Sequence, residues 1–227
     1  FPRHFGELNK MFLPYRDDNP RVLTPYVTYA LVSINVLLFF LQMVSPREFT
    51  TVFAIIPKMA TVDFGHFSLT LLTSMFLHGS ITHLGGNMLY LWIFADNVEG
   101  ILGHVKFTIF YFASGLAAGI VQTLVDPTSI IPIVGASGAI AGILAAYMIL
   151  FPQAKVHALL FLFFYFTSIR IPAFFVLGFW FLMQLTNGLS ALGLDTTGGV
   201  AWFAHIGGFI AGLGLIQILR RIKIESI

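Results

Sequence analysis

The sequence contains no cysteine, which removes disulfide cross-links, thiolate nucleophiles and cysteine-based zinc sites together. Charge is nearly as scarce: Asp, Glu, Lys and Arg make up 10% of the 227 residues, against about a quarter in a soluble domain. The twelve Lys and Arg residues are scattered along the chain, mainly in short loops, and gather into no patch of the kind that binds nucleic acid. Hydrophobic residues make up 57% of the chain and the mean hydropathy is +0.88. A chain of this composition is a polytopic membrane protein, and its surroundings are a lipid bilayer.

An apolar run of about 18 residues or more can cross the hydrocarbon core as a helix. Six such runs begin near Tyr26, Thr82, Val105, Ser137, Ala173 and Val200 and end near Val44, Glu99, Val125, Phe151, Leu192 and Leu219. Two more, Phe67 to Leu77 and Val156 to Ile169, are too short to span and read as re-entrant or interfacial pieces. The expected fold class is an all-α polytopic membrane protein with six transmembrane helices. Residues 1–25 form a short cytoplasmic segment without the apolar core and cleavage site of a signal peptide, 26–220 the membrane domain, and 221–227 a cytoplasmic tail.

Basic loops stay on the cytoplasmic side. Arg3, Lys10, Arg16 and Arg21 precede the first span, Lys106 follows the second, Lys155 and Arg170 the fourth, and Arg220, Arg221 and Lys223 the sixth. Only Arg47 and Lys58 fall on the other side. Both termini are therefore expected in the cytoplasm, which for a bacterial chain means an inner-membrane protein.

Strongly polar residues inside a membrane are costly and mark function by default. His83 and Asn87, in "THLGGNMLYLW", lie four residues apart at the start of span two. Ser137, in "IVGASGAIAG", opens span four, and His205, in "WFAHIGGFIAG", lies about five residues, roughly 8 Å, into span six. These three spans all start on the non-cytoplasmic side, so the four residues share one level. Span four is only about 22 Å long, so its start is recessed, and the "IIPIVG" segment before it enters the membrane as non-helical chain. Gly138 with Gly142, and Gly208 with Gly212, are small-xxx-small pairs that let spans four and six touch.

Contact between those spans brings Ser137 and His205 within hydrogen-bond reach, where imidazole can take the proton of a weakly nucleophilic hydroxyl. The unpaired backbone N–H groups at the start of a helix suit a developing oxyanion, and Asn87 and His83 add side-chain donors. Each residue alone has a plainer reading: small-residue packing for Ser137, a packing or hydrogen-bonding role for His205, helix-to-helix contact for Asn87. Their common side and depth favour one acyl-transfer site. His78 reads as structural. Asp96, Asn97 and Glu99 fit a solvated interface, Glu99 alone with a second role in tying loops, and His4, His66, His104 and His157 read as interfacial. No H-E-x-x-H motif occurs and no Asp lies mid-span, so neither zinc nor aspartyl proteolysis has its residues.

With "GASG" at Ser137, "AHIGGFIAG" at His205 and "HLGGN" from His83 to Asn87, the chain resembles the rhomboid family of intramembrane serine proteases, from about Arg16 to Leu219. "RDDNP" at 16–20 and "DNVEG" at 96–100 are similar to bacterial members. The resemblance implies a six-helix rhomboid bundle, a catalytic dyad of Ser137 and His205, and an oxyanion site from His83, Asn87 and the Ser137 backbone. Gly135 matches the small residue that lets the preceding loop approach the nucleophile. It further implies single-pass membrane proteins as substrates, admitted laterally past span five and cut near the outer surface, with no metal or cofactor. Two departures stand out: "GHFSLTLLTSMFLH" lacks the Trp-Arg pair many members carry in the first loop, and Ala141 replaces an aromatic residue that in some members packs on the histidine. The rival readings are a rhomboid-like pseudoenzyme that binds spans without cutting, and a small-solute channel or transporter, which the missing internal repeat disfavours.

Overall fold

The structure is a computed structural model that describes residues 12–46, 48–162, 165–192 and 199–222. Arg3, His4, Lys10, Arg47 and residues 223–227 of the tail, Lys223 among them, lie outside the described residues. The helices are α1 (Tyr26–Val44), α2 (Glu48–Phe53), α3 (Met59–Val62), α4 (Phe64–Thr73), α5 (Ile81–Leu102), α6 (His104–Val125), α7 (Ser137–Leu150), α8 (Ala173–Ala191) and α9 (Trp202–Leu219). Four of them, α1, α6, α8 and α9, are long and apolar enough to cross a membrane by length and composition. Helix α5 has the length, 22 residues, but carries Asn87, Asp96, Asn97 and Glu99; α7 is apolar but has only 14 residues.

Every residue of α7 from Gly138 to Tyr147 is buried, as expected for a helix that is apolar on all sides. It is the hub of the core. Leu91, Phe94 and Val98 of α5, Phe107, Phe110 and Tyr111 of α6, Leu177 of α8, and Phe209 and Ile216 of α9 join Ile143, Leu144 and Tyr147 in one cluster. The opposite pattern marks the rim. Leu37, Phe40 and Val44 of α1 are 67%, 57% and 82% exposed, and Phe174, Phe175, Phe179 and Leu182 of α8 all exceed half. Apolar surface on this scale belongs against lipid.

The all-α expectation needs correction. Strands β1 (Phe12–Asp17), β2 (Lys155–Leu162) and β3 (Tyr165–Pro172) form an antiparallel sheet in the order β1-β2-β3. The described residues of the Val156–Ile169 run, expected as a re-entrant or interfacial piece, thus belong to two antiparallel strands. The run's aromatic and β-branched residues suit a strand, and a continuous apolar run cannot be told from a buried helix by periodicity. Arg16 pairs with His157 and Asp17 with Val156, while Tyr15 Oη and Ser168 Oγ lie 2.9 Å apart. The Phe67–Leu77 run is likewise resolved: α4 continues into a 3-10 turn at Ser74–Phe76.

The polar residues ending α5 are tied into the fold rather than solvated. Glu99 is fully buried and accepts from Val27 N–H at 3.0 Å, Thr28 N–H at 2.8 Å and Thr28 Oγ1 at 2.6 Å. It thereby satisfies the first turn of α1, which Pro25 cannot cap. His104 Nδ1 holds the same carboxylate at 2.7 Å, so the tying role expected of Glu99 is what the structure has. Gly103, with φ 73°, lets α6 start directly after α5. Asn97, 4% exposed, donates to Asp17, which also accepts from Tyr147; Asp96 pairs with Arg21 at 3.1 Å. Burial, with the nearby Asp96, raises the Asp17 carboxyl above the usual range against the opposing Tyr147 hydrogen bond. His157, 2% exposed and 2.5 Å from Asp18, is buried rather than interfacial.

Candidate active site

Helices α7 and α9 cross at their glycines. A Cβ on Gly208 would overlap the Gly138 carbonyl, and one on Gly212 would lie 2.5 Å from the Gly142 carbonyl oxygen. Only backbones without side chains approach this closely. The approach sets the first turn of α9 beside the start of α7, and His205 Nε2 lies 2.9 Å from Ser137 Oγ. Two residues 68 positions apart in sequence meet because four glycines remove what would stand between their helices.

No regular helix occurs from Asp126 to Ala136, which includes the "IIPIVG" segment, 130–135, expected as non-helical chain. It is held at three points: a β-bridge between Ile55 and Ile133, the Lys58 N–H on the Ser129 carbonyl at 3.0 Å, and the Gly135 N–H on the Ser74 carbonyl at 2.9 Å. Gly135 has φ 127°, a conformation that side chains disfavour, and a Cβ there would lie 2.8 Å from His83 Cε1 and Nε2 and 3.5 Å from Asn87 Nδ2. Both side chains of α5 therefore face the loop immediately before the serine. The first i−4 bond at this end of α7 is Ile140 N–H to the Ala136 carbonyl, 3.0 Å, so the N–H groups of Ser137, Gly138 and Ala139 have no intrahelical acceptor.

Two details bear on donors. Asn87 Nδ2 is buried and has no hydrogen-bond partner, an expensive state for an amide unless something else accepts from it. His83 Nδ1 accepts from the Gly79 N–H at 3.4 Å, so in the neutral ring the proton is on Nε2, on the edge of the ring that faces Gly135. A cavity of about 30 Å³ lined in part by Gly135, Ser137, Gly138, Ala201 and Ala204 adjoins the serine. His78 lies in the loop before α5, 5.2 Å from the His83 ring and 1% exposed. Burial, with His83 second, lowers its pKa to about 4, and both ring nitrogens are buried without a hydrogen-bond partner.

Sequence reasoning missed what surrounds His205. Trp180 of α8 lies tilted beside its ring at 5.8 Å between centroids, and Trp202 meets it edge-on at 6.4 Å; these aromatics occupy the role vacated by Ala141. Gln184 of α8, 5% exposed, places Oε1 2.7 Å from His205 Nδ1. A lone glutamine in an apolar span was the available signal. The loop without a Trp-Arg pair is held by other means: Phe67, Leu71 and Ile55 form a small core, seated where Gly119 of α6 leaves room for Ile55 and Leu71.

A mostly helical membrane protein with a serine and a histidine joined at the ends of two glycine-packed helices is the class that fold and site define. A family model described as "Rhomboid domain" matches residues 66–222. The chain belongs to the rhomboid family. It is 31% identical over 193 residues to Rhomboid protein 1, mitochondrial, of Saccharomyces cerevisiae, covering 82% of this chain and 51% of that one. It is 31% identical over 191 residues to Rhomboid protease GluP of Bacillus subtilis, covering 83% and 34%. To the human Presenilin-associated rhomboid-like protein, mitochondrial, it is 30% identical over 152 residues, covering 63% and 36%. The chain spans about half or less of the length of these curated relatives.

Proposed function

We propose that this protein is an intramembrane serine endopeptidase that cuts single-pass membrane proteins within or beside their spans. The observation that carries the reading is the 2.9 Å contact between Ser137 Oγ and His205 Nε2, with His83 and Asn87 packed on the Gly135 loop just before the serine. Ser137 Oγ attacks the carbonyl carbon of the scissile peptide while its proton passes to His205 Nε2. The oxyanion that forms is held by the Ser137 N–H, Asn87 Nδ2 and His83 Nε2–H. Collapse breaks the C–N bond, His205 returns its proton to the leaving amine, and water releases the acyl group by the same steps. Helix α7 is read as a short span with a recessed start and α5 as a span with a polar cytoplasmic end, giving six in all. Basic residues at the other ends of these helices support cytoplasmic termini, and "RDDNP" and "DNVEG" support a bacterial inner membrane. No metal or cofactor takes part in this reading. That GluP is named a rhomboid protease supports it further.

A fluorophosphonate tests the dyad without a known substrate. It should label the folded wild type at Ser137, and neither Ser137→Ala nor His205→Ala, because a hydroxyl without a base is scarcely more reactive than water. Labelling that persists in His205→Ala would mean another group is the base.

A further inference from the structure

We infer that Gln184 is a positioning residue that selects the tautomer of His205, making the site a Ser-His-Gln relay anchored in the backbone of α8. The inference rests on the Ser137–His205 reading above and adds to it a residue outside the dyad and its oxyanion donors.

The Trp180 carbonyl can only accept, and it lies 3.3 Å from Gln184 Nε2, one turn back along α8. The Gln184 amide therefore turns its NH₂ toward its own helix and its carbonyl oxygen, Oε1, toward His205 Nδ1 at 2.7 Å. An oxygen there requires Nδ1 to carry the ring proton. The neutral imidazole then has its lone pair on Nε2, 2.9 Å from Ser137 Oγ, and that lone pair is what a general base must present. With the amide reversed, NH₂ would face Nδ1 and the proton would sit on Nε2, useless for accepting from serine. A backbone carbonyl of α8 thus decides, through one side chain, that the histidine can act.

Among the described residues, Gln184 stands alone in that role. The titratable group facing His205 from the packed helices is His83 of α5. Helix α6 presents Gln122, whose Oε1 accepts from Ala204 N–H at 3.0 Å, and α7 presents Ser137. Trp180 and Trp202 touch the ring as aromatics and offer Nδ1 no acceptor. Because glutamine is uncharged, it orients the ring without stabilising imidazolium as a carboxylate would. It sits 5% exposed on a helix whose other faces are exposed to lipid, so the relay holds only while α8 is seated against α9.

The test is the rate of fluorophosphonate labelling against pH, in detergent, for wild type, Gln184→Leu, Gln184→Glu and Ser137→Ala. Leucine keeps the volume and removes the acceptor, and the rate should fall about 10²-fold. Glutamate keeps an acceptor and adds charge. It should restore the rate to within about tenfold of wild type and move the acid limb of the profile upward by about one pH unit, since a neighbouring carboxylate raises the histidine pKa. A glutamine that merely fills space would be replaced by leucine without loss of rate. Gln184→Leu within about twofold of wild type, or Gln184→Glu with its acid limb unmoved, would overturn the proposal while a silent Ser137→Ala left the dyad standing. Should the leucine variant fail to fold, Gln184→Met, which keeps a flexible side chain of similar length and lacks the amide acceptor, takes its place with the same expected loss. A wild type that is not labelled at Ser137 would overturn the dyad and the relay together.

Discussion

A buried amide with nothing to bond is a cost that a resting structure tolerates for a reason, and Asn87 Nδ2 is such a group. Its reason, on the account above, is the charge that appears on a substrate oxygen during catalysis. Asn87→Ala should lower kcat by about 10² to 10³ while leaving KM close to wild type, because the donor acts only once charge develops. Steady-state cleavage of any accepted substrate checks this, and a rate within about twofold of wild type would remove Asn87 as a principal donor. At this scale the site was legible where polar groups are rare against an apolar background: Ser137, His205, His83 and Asn87 stand out in their spans. Gln184 stands out no less, yet its meaning depends on which way α8 faces and which way an amide is turned, and neither is written in residue spacing. The burial of Asn97 and Glu99 was hidden similarly, because their partners, Asp17 and the first turn of α1, lie about 70 to 80 positions away.

Helices transmit the demands of the site through their glycines. Alanine at Gly208 would overlap the Gly138 carbonyl, whereas alanine at Gly214 of the same helix meets nothing within 4 Å. Gly208→Ala should therefore force α7 and α9 apart, lower the unfolding temperature, and reduce labelling of Ser137 by about 10²-fold, the loss typical of a misplacement near 1 Å. Gly214→Ala should leave labelling intact and gain up to about 1 kcal/mol of helix propensity. Equal behaviour of the two variants in thermal unfolding and labelling would contradict the packing account. The small-xxx-small pattern made this contact readable in advance. Helix boundaries were close to those expected, and α1 spans the same residues, Tyr26–Val44. The sheet was not readable: β2 and β3 form an apolar run of ambiguous period, and pairing of β2 with β1 across about 140 residues leaves no local mark.

At the scale of the whole molecule, α1 and α8 turn apolar faces outward while α7 is enclosed, so the proposed nucleophile, Ser137, starts the innermost helix of a bundle with an apolar rim. On the proposed reading, the site at the starts of α5, α7 and α9, opposite the Arg220–Arg221 end of α9, confines the chemistry to one side of the membrane. The most direct measurement of the central claim is cleavage in proteoliposomes, with a panel of single-span substrates and the cut sites mapped by mass spectrometry, for wild type and Ser137→Ala. The expected result is cleavage near the end of the substrate span that lies level with Ser137, on the side opposite the Arg220–Arg221 end, and none in the variant. Cleavage undiminished in Ser137→Ala, cuts confined to the Arg220–Arg221 side, or a folded wild type that cuts no substrate in the panel would contradict it.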